Sequence, residues 1–143
     1  MNRKIKCLLS FTLFLSLCFT LAITASARAS LYFSRYSANI YIESKNSLSV
    51  CFDALGTSEM DQIGAKTIVL QEQTATSNWT TIKTYYVSDY PSMMGNKTTY
   101  YSGDVPYANC IPNASYRAVV TLWAGKDGGG DTRTCITEVE VAK

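Results

Sequence analysis

From about residue 30 onward the chain is built of short alternating apolar and polar runs, and no stretch repeats at helical spacing. Alternate residues of a strand share a face, so each run predicts which side chains turn inward. YSANIYIES puts Tyr36, Ala38, Ile40 and Ile42 together, and LSVCFDA groups Leu48, Val50, Phe52 and Ala54. KTIVLQEQ sets Ile68 and Leu70 against Val69 and Gln71. NWTTIKTYYV alternates Trp79, Thr81, Lys83 and Tyr85 with Thr80, Ile82, Thr84 and Tyr86, and KTTYYSG is a weaker tyrosine-bearing run. SYRAVVTLWAG aligns Tyr116, Ala118, Val120 and Leu122, and TCITEVEVA aligns Cys135, Thr137, Val139 and Val141.

These are about seven strands at the short, regular spacing of a β-sandwich. Turn-formers separate them: Gly56 and Gly64, Ser77-Asn78, Pro91 and Gly95, Gly103 and Pro106, Pro112-Asn113, and a glycine trio at 128–130. Ser58 and Asp61 in SEMDQIGA carry cap chemistry, which predicts one helical turn inside a loop. The pattern predicts one all-β domain over residues 30–143, an immunoglobulin-like sandwich with Val120, Phe52, Ile68 and Trp123 as core candidates. Trp123 breaks the parity of its strand, which assigns it to the rim. The last two runs predict a hairpin of 115–124 with 132–141.

The first 29 residues read differently. Arg3, Lys4 and Lys6 precede an uncharged, largely apolar run from Cys7 to about Ile23, followed by Ala25-Ser26-Ala27 and Ala27-Arg28-Ala29. A basic head, an apolar middle and an A-x-A end describe a secretory signal peptide, cut after Ala27 or Ala29. The apolar run is near the short limit for a bilayer span, so stable membrane insertion after cleavage is not expected. Cys18 follows Leu17 inside the run, which does not fit a lipoprotein signal. The expected location is extracellular or the cell envelope.

Removing the leader changes the charge. Residues 28–143 keep all 11 acidic and ten of the 13 basic side chains, a formal charge of −1. That balance, without a dense basic cluster, does not suit nucleic acid, whose binding rests on neutralising phosphates. Cys51, Cys110 and Cys135 remain, an odd number that permits at most one disulfide among three pairings. There is no histidine, so the commonest general base and the Ser-His and Cys-His pairs are missing. Asp53, Glu59 and Asp61 are carboxylates a small hydrolase could use, yet spacing alone shows no pair facing across a cleft.

AGKDGGGDTRT, Ala124 to Thr134, is the most distinctive stretch. Asp127 and Asp131 are two carboxylates where calcium takes six to eight oxygens. A phosphate loop would continue into a helix with Lys and Ser or Thr, whereas a strand follows. A hairpin turn accounts for the glycines and aspartates, and neither metal nor cofactor is implied. Ten tyrosines are a second feature. YYVSDYPSMMGNKTTYYSG interleaves them with methionines, and Tyr90, Met93, Met94, Tyr100 and Tyr101 are the candidate ligand-binding residues.

GTSEMDQIGAKTIVLQEQ, NWTTIKTYYVSDYPSMMGNK and YRAVVTLWAGKDGGGDTRT together resemble a family of small secreted proteins of Gram-positive, clostridia-like bacteria. The shared order is G-T-x-x-M-D-x-I-G-A, a strand, W-x-x-[IV], a loop with M-x-G, then Y-R-A-x-V and a Gly/Asp hairpin, over most of residues 46–143. The family has no assigned activity, so the resemblance implies export and an all-β domain, with no catalytic residues and no fixed cysteine set. The expected function is a secreted, non-catalytic module that binds a glycan, peptide or protein. A secreted effector, such as a bacteriocin-like toxin or protease inhibitor, is the alternative.

Overall fold

A computed structural model describes residues 29–143. The leader, apart from Ala29, lies outside the described residues. The described chain is all β: β1 (Phe33–Ser44), β2 (Ser47–Ala75), β3 (Asn78–Tyr86), β4 (Met94–Ala108), β5 (Ser115–Lys126), β6 (Gly129–Ile136) and β7 (Glu140–Val141), with one 3-10 turn at Pro91–Met93. Every pairing is antiparallel, and all seven strands belong to one sheet. Among the described residues no helix is long and apolar enough to cross a membrane.

β2 organises the sheet. It runs for 29 residues. At about 3.3 Å per residue a straight strand of that length would extend roughly 95 Å, against a radius of gyration of about 13 Å for a domain of this size. β2 must therefore bend, and its pairing shows where. Its first half, residues 47–55, has β1 along one edge and β4 along the other. Its second half, residues 67–72, has β5 and β3 in those places. Residues 62–64 pair with β4 and β5 at once, so the change of partners is continuous. The sheet curls with the bend, and β1 comes to lie against β5, β6 and β7 without joining their ladders.

The core lies on the inside of the curl. Leu48, Val50, Phe52 and Ala54 face it from the first half of β2, and Ile68 and Leu70 from the second. Tyr116, Ala118, Val120, Leu122 and Ala124 do so from β5, each fully buried. Three of the four expected core residues are there; Trp123 is half-buried on the other face of β5.

Two irregularities reset which residues of β2 face inward. Between Leu55 and Met60 the strand carries extra residues against β4, where Tyr100 and Thr98 are the partners. Between Ala65 and Thr67 one extra residue, Lys66, faces consecutive partners Leu122 and Thr121 on β5. Such bulges bend a strand and re-aim a side chain. The inward set accordingly passes from even numbers to Ile63 and Ala65, then returns to even at Ile68.

The helical turn expected at Ser58–Ala65 is a correction: the segment is continuous strand. Met60, Ile63 and Ala65 are buried, and the backbone of 60–65 bonds to β4 and β5. Ladder pairing on both edges outweighs one cap side chain. Two expected strands merge into β2, and the final run divides. β6 ends at Ile136 because Thr137 turns inward, where its hydroxyl accepts the Ala118 N–H at 2.9 Å. Val139 and Val141 are exposed, contrary to the expected alignment, and Ala142 is buried instead. The total of seven survives because one merger and one division offset each other.

Tyr116 fastens the loop before β5. Its phenol accepts the Ile111 N–H at 2.8 Å and donates to Glu72 at 3.0 Å. Burial pushes the phenol up to about 12, so the donor proton stays in place at neutral pH. Gly64, where β4 and β5 both reach β2, has no room for a side chain. A Cβ there would strike the Met93 carbonyl oxygen and come within 2.9 Å of the Met94 Cα. Since backbone blocks the space, Gly64→Ala is expected to destabilise by about 2 kcal/mol, as overpacking does. Urea denaturation checks this; an unchanged midpoint would refute the crowding.

Candidate functional site

The AGKDGGGDTRT stretch is a two-residue hairpin. Lys126 pairs with Gly129, leaving Asp127 and Gly128 at the turn with φ of 53° and 79°. Positive φ at both central residues is a type I′ turn, whose twist matches antiparallel strands. Asp131 is occupied by the Arg133 guanidinium at 2.8 Å and the Thr132 N–H at 2.8 Å. Among the described residues no three His, Cys, Asp or Glu side chains converge as metal ligands would.

The other two glycines serve Trp123. Gly125 and Gly130 are directly opposite across the hairpin. A Cβ on Gly125 would lie 2.8 Å from the indole, and one on Gly130 would overlap it. The indole is therefore spread over a glycine pair on the outer face of the sheet, as aromatic residues cover strand glycines. Lys66, the bulge residue of β2, holds its ammonium 3.7 Å from the ring centre. The exposed geometry makes that contact worth about 0.5–1 kcal/mol.

Shallow grooves flank this ring. One, of about 250 Å³, is lined by Gln62, Lys66, Val87, Pro91, Met94 and Asn96. The other, of about 200 Å³, runs past Asp61, Gln62, Trp123 and Lys126 along the hairpin glycines. Gln62 belongs to both, so the face is continuous. Asp61 holds its far end together. Its carboxylate takes the Lys97 ammonium and accepts the Asp127 N–H at 2.9 Å, while Lys126 donates to Ser58 at 3.2 Å. The bulged part of β2 is thereby tied to β4 and to the turn. The Lys97 hydrogen bond, followed by the Asp127 amide, holds the Asp61 carboxyl below its ordinary 3.8.

The five residues singled out in the sequence do not form one surface. Met93, the last residue of the 3-10 turn, is fully buried. Tyr101 is half-buried against Phe52, lies across Gly95 and donates to the Ser92 carbonyl at 2.6 Å. Tyr100 is exposed, opposite Leu55. Tyr90 packs edge-on against Tyr85 with 36% of its surface free. Met94 lines the groove beside Pro91. Of the set, Met94 alone joins the face around Trp123. Lys66 and Gln62 were not apparent because a bulge, invisible to strict alternation, places Lys66. Two signals did exist: the off-parity Trp123, and glycines two residues from it along β5 and diagonally across the hairpin.

The remaining candidates are each held separately. The three cysteines among the described residues are free thiols: Cys51 faces Asn39 and Asp104 in the ladders, Cys135 faces Val120, and Cys110 follows β4. No two are ladder partners. Burial pushes all three thiols up, which keeps them protonated and poorly nucleophilic at neutral pH. Asp53 accepts the Ser37 hydroxyl, with Arg35 at 3.6 Å, and Glu59 is exposed. No protein-family model and no curated protein matches the chain.

Because the folded pKa of Asp61 is lowered, its stabilisation is complete above 3.8 and fades as pH falls through the folded value. Asp61→Asn is therefore expected to melt below the wild type at pH 6, with the gap closing toward pH 2. Thermal melts across that range decide; a gap constant with pH would show that the carboxylate charge is not what ties the hairpin down.

Proposed function

We propose that this protein is an exported, non-catalytic binding module whose contact face centres on Trp123, Lys66, Gln62 and Met94. One observation carries the reading: a large aromatic ring is displayed on the outer face, over two glycines that each weaken a strand by roughly 0.5–1 kcal/mol. A sheet selected for stability alone would fill those positions with branched side chains. The indole rim, the Lys66 ammonium lying across the ring, and the Gln62 and Asn96 amides in the adjoining grooves suit a ligand with small apolar patches and many hydroxyls. Among glycan, peptide and protein partners this favours a glycan. Aromatic anchors within a polar surround are a common binding arrangement.

Export rests on the leader, with its basic head, apolar middle and A-x-A end. The likeness to small secreted Gram-positive proteins supports it. We also read the curled sheet as an immunoglobulin-like sandwich in which β2 serves both layers, with β1 and β4 on one side and β3, β5 and β6 on the other. The Tyr116 bond to a backbone amide five residues upstream, at the start of a strand, is like the tyrosine corner of such folds.

The test is to present the exported domain to arrays of cell-wall and other glycans and to compare Trp123→Ala and Met94→Ala. Loss of one aromatic anchor costs about 2 kcal/mol or more, so binding should fall at least about 30-fold for Trp123→Ala. Binding that survives both substitutions would reject this face. No glycan binding, together with inhibition of growth or of a protease by the wild type, would favour a secreted effector.

A further inference from the structure

The N-terminal end of the described chain is clamped more firmly than a chain entrance needs to be. The Tyr32 carbonyl accepts the Thr57 N–H at 3.0 Å, and the Leu31 carbonyl accepts the Thr57 hydroxyl at 2.7 Å. Both bonds reach the bulged part of β2. Ser30 folds back, its hydroxyl oxygen accepting the Tyr32 N–H at 3.1 Å and the Phe33 N–H at 2.9 Å. Ser30 is also the chief influence, ahead of Arg133 and the Thr132 amide, that holds the Asp131 carboxyl on β6 below its ordinary range. The Tyr32 phenol reaches over Gly129, where a Cβ would overlap it. A cleft of about 450 Å³ lies among Ala29, Ser30, Tyr32, Asp131 and Arg133.

Ser30 is also the residue that follows the second A-x-A sequence, Ala27-Arg28-Ala29. The amide nitrogen and the hydroxyl oxygen of one serine are about 3 Å apart by covalent geometry. The Ser30 nitrogen therefore stands at the same cleft that Asp131 and Arg133 line. We propose that export processing cuts the Ala29–Ser30 bond and that the ammonium released on Ser30 pairs with Asp131, fastening β1 to the β5–β6 hairpin. Water adds across the amide: the Ala29 carboxylate departs with the leader, and the Ser30 amine takes a proton. Cutting after Ala27 would leave Arg28 and Ala29 in front, carrying the ammonium about 7 Å of chain away from Asp131.

The inference rests on the export reading of the leader. The charged and titratable groups that share the cleft with Asp131 are Arg133 on its own strand and the Tyr32 phenol from the N-terminal segment. Lys126 is directed to Ser58 instead. An α-ammonium titrates near 7.7–8 when free. Paired with Asp131 its folded pKa is raised, so its stabilisation is full below that range and is lost as pH rises through the folded value.

Expression of the 143-residue chain in a secreting Gram-positive host, with intact-mass analysis of the exported protein, tests the cut. A chain beginning at Ser30 is expected. One beginning at Arg28 overturns the inference and leaves export standing, whereas retained, uncut precursor defeats the export reading itself. Thermal melts of the exported protein test the pairing. Asp131→Asn should melt about 3 °C lower at pH 7, as expected for a half-exposed pair, with the gap narrowing toward pH 10. Asp131→Glu should restore the wild-type pH profile. A gap that holds from pH 7 to pH 10 would show that the amine is not the partner and overturn the pairing.

Discussion

The obligation of a backbone to satisfy its hydrogen bonds on both sides, imposed on one strand too long to stay straight, sets the rest of this structure. β2 has partners along both edges through most of its length, so neither half can be withdrawn without leaving amides and carbonyls unpaired. Its length exceeds what a domain of this size can hold, so it must turn while remaining paired. Bulges reconcile the two demands. Each adds residues to one side of the ladder, and each changes which face of the strand looks inward. The curl of the sheet, the enclosed core and the ejection of Lys66 onto the outer face all follow from that accommodation.

The same reasoning separates what is legible in the sequence from what is not. Alternation in SYRAVVTLWAG and LSVCFDA identifies the buried residues of β5 and of the first half of β2, since period two holds wherever pairing is regular. It fails at Ser58–Ala65, where Ile63 and Ala65 fall out of step and local cap chemistry imitates a helix start. It fails again at Thr137, where a side-chain bond to the Ala118 amide ends β6 while the sequence still alternates. Glycine and proline mislead in a related way. Gly56, Gly64, Gly95, Gly103 and Pro106 look like turn residues but lie within strands. Gly64, Gly95 and Gly103 are small because other backbone or aromatic rings occupy the space a side chain would need. Pro106 is tolerated because β4 pairs along one edge only, and the Tyr85 phenol uses its carbonyl.

Tyrosine is the residue whose role depends most on information outside the sequence. Tyr85, Tyr101 and Tyr116 each bury a ring and send the hydroxyl to a backbone or carboxylate partner. Tyr101 and Tyr116 join loops to the sheet, and Tyr85 links β3 to β4. Tyr100 and Tyr90 keep exposed area but stand on different parts of the molecule. Enrichment in tyrosine is therefore mostly a consequence of building a small curled sheet, in which a long side chain with a polar tip can span from core to loop. The surface character comes from Trp123, for which the sequence reserves two glycines.

The two ends of the AGKDGGGDTRT hairpin then take on distinct tasks within one element. At its turn, Asp61 receives the Asp127 amide and the Lys97 ammonium, which fixes the tip against the bulged part of β2. On its outer face, Gly125 and Gly130 admit the indole. On its flank, Asp131 lines a cleft with Ser30 of the segment before β1. The bulge supplies Asp61 and Thr57, the latter bonded to Leu31 and Tyr32, so both tethers converge on the same irregular segment of β2. The N-terminal segment and the hairpin tip beside Trp123 are thus tied to one part of β2 by short hydrogen-bonded links. The N-terminal segment and the hairpin tip share a support, because the irregular segment that lets β2 bend also provides the anchoring groups for both.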